Sequence, residues 1–142
     1  MTTPFKFNSE FELAESLARS GGALIKEAFH KPKNIDLKSS TIDLVTETDT
    51  AVEAMILSAI TKNFPTHKFI GEETVAASGG QKVEITDDPT WVVDPVDGTT
   101  NFVHSFPYPC VAIGFMNNQI VEFGVIYSAF KMFGSATKFG HF

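Results

Sequence analysis

Between Trp91 and His104 the chain reads WVVDPVDGTTNFVH, which crowds two carboxylates, a proline, a glycine and two hydroxyls between apolar flanks. Oxygen donors at this spacing suit a hard divalent cation such as Mg²⁺, which keeps several waters and needs only one or two protein carboxylates plus phosphate oxygens. Asp94 and Asp97 fit that role. Trp91, Val92 and Val93 read as a short buried strand, and Pro95 cannot continue a ladder, so Asp94 is expected where the strand ends and the chain turns. Gly98 permits a sharp turn, and Thr99, Thr100 and Asn101 are good residues for starting a helix, whose free amides can hold a phosphate. An isolated Asp-Gly pair is usually only a turn. A turn, however, needs neither an apolar strand before it nor TTNF after it.

A second acidic element lies upstream, where Lys68 to Gly71 reads as a short strand ending at Glu72 and Glu73. Adjacent carboxylates repel, so a cation there is relieving and, without one, one of the two pKa values should rise. Alone, GEE serves a solvated loop as readily as a ligand pair; it gains weight beside the DPVDGTT run.

Three stretches together, FIGEET at 69 to 74, WVVDPVDGTTNFVH at 91 to 104 and LKSSTIDLVTETD at 37 to 49, resemble the inositol monophosphatase family. The match is ordered and runs from about Phe11 to Ser128; related sugar and nucleotide phosphatases share the DPxDG core but fewer of the flanks, and TTNFVH with GEET favours the inositol monophosphatase branch. The resemblance implies Mg²⁺-dependent hydrolysis of inositol monophosphates by an activated water, without a phosphoenzyme. By position it places one Mg²⁺ on Glu72, Asp94 and the carbonyl of Val96, and a second on Asp94 and Asp97, with Asp94 bridging. Glu72 and Thr99 would orient the attacking water, the amides of Gly98 and Thr99 would take phosphate oxygens, and Asp97 is implied with them as substrate-binding. Glu73, Lys38 and Asp49 are implied as supporting residues. Two cations so placed stabilise both the attacking and the leaving oxygen. The resemblance further implies Li⁺ sensitivity and a homodimer.

Composition agrees: 142 residues, 43% hydrophobic and 20% charged, describe one globular unit with material for a core. A net charge of -6, with only 11 scattered Lys and Arg residues, argues against a nucleic-acid or anionic-membrane surface. An anionic substrate must then be met by cations. A single cysteine, Cys110, forms no internal disulfide, and no N-terminal apolar run resembles a signal or transmembrane segment, which points to the cytoplasm.

The elements that must position these residues follow from periodicity. Ser9 and Glu12 have capping-box spacing ahead of Phe11, Ala14, Leu17, Ala18, Leu24, Ile25 and Ala28, an amphipathic helix that stops at Lys31 and Pro32. Thr48 or Asp49 starts a second helix, with Val52, Met55, Ile56, Ala59 and Ile60 as its stripe and Pro65 as its stop. Residues 36 to 48 read as a mobile loop, and Ala76 to Pro89 as an exposed hairpin or loop. Cys110 to Met116 and Ile120 to Tyr127 form an antiparallel hairpin, with Phe106 to Pro109 as the link into it. Tyr108 and His104 are read as structural, and Cys110 as a small core residue.

The expected architecture is layered α/β, or α+β, in the sugar-phosphatase-like fold that the resemblance implies, with residues 1–142 as a single N-terminal portion. Inositol monophosphatases continue into a second half that supplies another metal-binding aspartate in a WDxAAG-like motif, whereas the tail here, KMFGSATKFGHF, follows the family only loosely. The expectation is therefore a truncated isoform, a fragment or an incomplete gene model. Two functions are carried forward: the phosphomonoesterase, and a non-catalytic remnant that exposes sheet surface and acts by binding a partner or a full-length subunit.

Overall fold

A computed structural model of the chain describes residues 5–31 and 47–130. Lys38, the loop expected at 36 to 48 up to Thr46, and the tail from Lys131 lie outside the described residues.

Helix α1, Asn8–Phe29, buries Ala14, Leu17, Ala18 and Ile25 along one stripe. Its start differs from the expected capping box: Ser9 lies within the first turn, its hydroxyl bonds the neighbouring Glu10 carboxylate, and no side chain caps the helix. Aromatic packing sets the entry instead. Phe7 meets Phe115 edge-on at 5.2 Å and Phe11 meets Phe123 at 5.4 Å, so burial of rings fixes the first turn without a cap. Helix α2, Glu47–Asn63, begins near the expected place and buries Val52, Ile56 and Ile60.

The sheet has four strands, β1 Lys68–Gly71, β2 Thr90–Asp97, β3 Cys110–Asn117 and β4 Ile120–Ser128, in spatial order of sequence. β1 runs parallel to β2, and the other pairs are antiparallel. The expected hairpin is present, closed by Asn118 and Gln119, both at positive φ (51° and 62°), the backbone that matches the twist of a two-residue turn. Two short helices fill the crossovers: α3, Glu72–Ala77, between β1 and β2, and α4, Thr99–Val103, between β2 and β3. Ala76 and Ala77 thus belong to α3 rather than to the loop expected from Ala76 onward.

Alternation along the strands sorts the two faces. Trp91, Val93, Val111, Ile113, Phe115, Phe123 and Val125 are buried under α1 and α2. Val92, Asp94, Ala112, Gly114 and Ile126 take the opposite face, where Val92 and Ile126 stay 37% and 41% exposed.

Candidate metal and phosphate site

The site begins with an irregularity in β2. Asp94 pairs with Ala112 and Asp97 with Cys110, so Pro95 and Val96 together face the single residue Val111. This is a β-bulge, and Pro95, which has no N–H to give, occupies the part of the ladder that is skipped. The strand therefore does not end at Asp94 as expected; it continues to Asp97. The bulge also re-aims side chains. In a regular strand two residues three apart point to opposite faces, but the extra residue sends Val96 into the core and returns Asp97 to the accessible side with Asp94.

The parallel pairing brings in the second acidic element. Gly71 of β1 stands beside Val93 of β2, so the residues that follow, Glu72 just past the end of β1 and Asp94 within β2, are neighbours. Glu72 opens α3 and Asp94 is half-buried. Burial first, then the facing Glu72 carboxyl, and then the charges of Asp97 and Asp49 push the Asp94 carboxyl up to about 7. Asp94 Oδ1 is buried without a hydrogen-bond partner. Among the described residues no three His, Cys, Asp or Glu side chains enclose a cation as they stand. What they form is a group of carboxylates with one orphaned oxygen, and an oxygen-seeking divalent cation fits both its chemistry and its unrelieved charge.

Beyond Asp97 the chain turns through Gly98, at φ 89° and ψ 38°, a left-handed conformation that a side chain strains, and enters α4 at Thr99. The Thr99 hydroxyl lies 3.0 Å from the Val96 carbonyl and 3.4 Å from Asp49 Oδ1, so it donates to one or the other. Asp49 is 1% exposed on α2. Asp97 accepts from the Cys110 thiol at 3.7 Å; burial and then the Asp97 charge push that thiol up to about 11, which keeps it protonated. Cys110 is thus half-buried at the site's edge, not the core residue expected. Tyr108, expected to be structural, is 61% exposed, and His104 is an exposed residue ending α4.

Glu73 stands apart from its neighbour: it lines a cavity of about 520 Å³ between α2 and α3, together with Thr50 and Leu57. One residue of this region escaped the sequence reading. Glu53, 4% exposed on α2, accepts from the backbone amides of Glu73 at 2.7 Å and Thr74 at 2.8 Å, and from the Thr74 hydroxyl. The available signal was its position four residues after Asp49, on the same helix face.

Fold and site together define a layered α/β protein with an oxygen-rich acidic site at the carboxyl ends of two parallel strands. The chain belongs to the inositol monophosphatase family, whose pattern matches residues 8–139. It is 54% identical over 117 residues to inositol monophosphatase 1 of Homo sapiens, a match that covers 82% of this chain and 42% of that one. Among solved structures, an IMPase of Thermotoga maritima superposes with a TM-score of 0.70 at 28% identity, over 94% of this chain and 52% of the other. An inositol monophosphatase from Anabaena gives 0.66 at 31% identity, over 87% and 41%. The chain spans about two fifths of the length of the curated relatives it matches, and the layered fold expected from sequence is the fold observed.

Proposed function

We propose that this chain carries the cation- and phosphate-binding portion of a Mg²⁺-dependent phosphomonoesterase that acts on inositol monophosphates. The observation that supports it most is the orphaned Asp94 oxygen, held among Glu72, Asp97 and Asp49. In this reading Glu72, Asp94 and the Val96 carbonyl hold one Mg²⁺, and Asp94 and Asp97 a second. Bound there, Mg²⁺ supplies charge neutralisation and a lowered pKa for water. The Val96 oxygen has a second lone pair beyond the one the Thr99 hydroxyl occupies.

The chain's own groups do the rest. A Thr99 hydroxyl that donates to Val96 or Asp49 keeps its lone pairs to accept from the attacking water, and the Glu72 carboxylate takes the other proton. The amides of Gly98 and Thr99 position the phosphate, the left-handed Gly98 setting the amide direction, and Asp97 would meet it through the cation it would hold. Glu73, Asp49 and Lys38 act in support. Li⁺ sensitivity, a homodimer and a cytoplasmic location complete the reading and rest on family membership. Among the described residues no helix is long and apolar enough to cross a membrane.

A second reading, a non-catalytic binding remnant, is supported by the exposed Val92 and Ile126 on the sheet face opposite the helices. Calorimetric Mg²⁺ titration of the chain and of Asp94→Asn, beside phosphate release from inositol 1-phosphate and sedimentation, separates the two. Equal Mg²⁺ affinity in both proteins sinks the enzyme reading; association without turnover favours the remnant.

A further inference from the structure

Helix α3 starts without a cap of its own. Its N-cap residue is Gly71, in extended backbone (φ -111°, ψ 146°), and makes no side-chain cap bond. In an ordinary helix a Ser, Thr, Asp or Asn there accepts from the second and third amides of the first turn. In α3 those amides belong to Glu73 and Thr74, and the acceptor is Glu53, supplied by α2 from about twenty residues away in sequence. The same carboxylate also takes the Thr74 hydroxyl, so three donors occupy it. Gly71 makes room for this arrangement: a Cβ there would lie 2.4 Å from Glu53 Cδ and 2.5 Å from its Oε1. A cap carried by residue 71 and a cap carried by Glu53 therefore exclude each other.

We propose that Glu53 is a positioning residue: by capping α3 from α2, it sets the helix start so that the Glu72 carboxyl faces Asp94. The inference rests on the site reading given above. Glu53 is no ligand, because its oxygens already serve backbone and hydroxyl donors; it acts through Glu72, the residue between Gly71 and the two amides it holds. With Asp49 one turn earlier reaching Thr99, α2 braces both arms of the site. Removing such a support typically lowers cation affinity by about 10- to 100-fold.

Mutual exclusion of the two caps supplies the test. Calorimetric Mg²⁺ titration and amide hydrogen exchange are measured on the chain and on Glu53→Ala, Gly71→Ser, the double variant and Asp94→Asn. Glu53→Ala should weaken Mg²⁺ by at least about tenfold and unprotect the Glu73 and Thr74 amides, and Gly71→Ser alone should weaken it similarly by clashing with Glu53. In the double variant the serine caps α3 locally, and affinity should return to within about threefold of wild type once the Phe69 ring edge, 2.6 Å from the new Cβ, gives way. Failure of the double variant to recover overturns the proposal, as does unchanged affinity in Glu53→Ala while Asp94→Asn loses it. If Asp94→Asn also leaves affinity unchanged, the site reading has failed instead. Should Glu53→Ala not fold, Glu53→Gln, which keeps the shape and one acceptor oxygen, is measured: unprotected amides with undiminished affinity would again overturn the proposal.

Discussion

Replacing Asp94 with asparagine should stabilise the cation-free chain while removing its response to Mg²⁺. The carboxyl is raised from 3.8 to about 7, so between those values the folded state holds a proton that the unfolded state has released. Stability then falls as pH rises from about 4 through about 7, and the cost is fully present only above that window. Three pKa units correspond to about 4 kcal/mol, but the group is half-buried and solvent screens it, so about 1–2 kcal/mol is the reasonable share at pH 8. For a chain of 142 residues, with about 2.1 cal/mol/K of unfolding entropy per residue, this is a rise in Tm of roughly 3–7 °C. Asparagine carries no charge and its amide can donate to the facing Glu72. The assay is differential scanning fluorimetry of both proteins at pH 4 and pH 8 in chelator, then in Mg²⁺. The variant should be more stable at pH 8, equal at pH 4, and indifferent to Mg²⁺, whereas wild type gains Tm with the cation. An Asp94→Asn protein that melts lower than wild type in chelator at pH 8 would refute the reasoning, since it would mean the orphaned oxygen costs nothing.

Thr99→Ala should cut turnover of inositol 1-phosphate by roughly 10² to 10⁴, with Mg²⁺ affinity nearly unchanged, if the hydroxyl orients the water; a parallel loss of Mg²⁺ binding in calorimetry would show that it shapes the cation site. His67 is held below its usual 6.5 chiefly by burial, and its Nδ1 accepts from Trp91 Nε1 at 3.1 Å. Its contribution is thus present above 6.5 and lost as pH falls through the lowered folded value, which should appear as an acid-side change in the fluorescence of the chain's one tryptophan, abolished in His67→Ala. Phe123→Ala, at a fully buried ring stacked on Phe115 at 5.3 Å and touched edge-on by Phe11, should cost about 3–5 kcal/mol in urea unfolding. A cost under about 1 kcal/mol would mean that the aromatic cluster collapses around the gap.

Local chemistry was legible wherever it decided the outcome. The hairpin could be read because alternation and a polar break both act within a few residues, and α1 and α2 because their stripes repeat at helical intervals. The start of α1 could not: Ser9 has a capping spacing, but the turn is fixed by Phe7 and Phe11 against rings more than a hundred residues away. Pro95 misled for a related reason. Its missing N–H forbids a regular ladder, yet a bulge accommodates it, and whether a bulge or an end results depends on β3. Glu53 looked like one more polar residue on a helix because its partners are backbone amides, which carry no letter of their own. The types of the candidate site residues were therefore visible, while the supports that aim them were not.

The bulge at Pro95 and Val96 makes the common orientation of Asp94 and Asp97 a matter of counting. A residue in a strand points one way or the other, so the pair is either on one side or split, with nothing between. Substitution can weaken either carboxylate by degrees. Pairing the same residues as a regular strand, with no bulge, would instead bury Asp97 and expose Val96 in a single step. Over many generations the segment can therefore keep its two carboxylates together either at the present spacing with the bulge or one residue shorter without it. The combination that should be selected against is the present three-residue spacing without the bulge, which splits the two carboxylates between the faces.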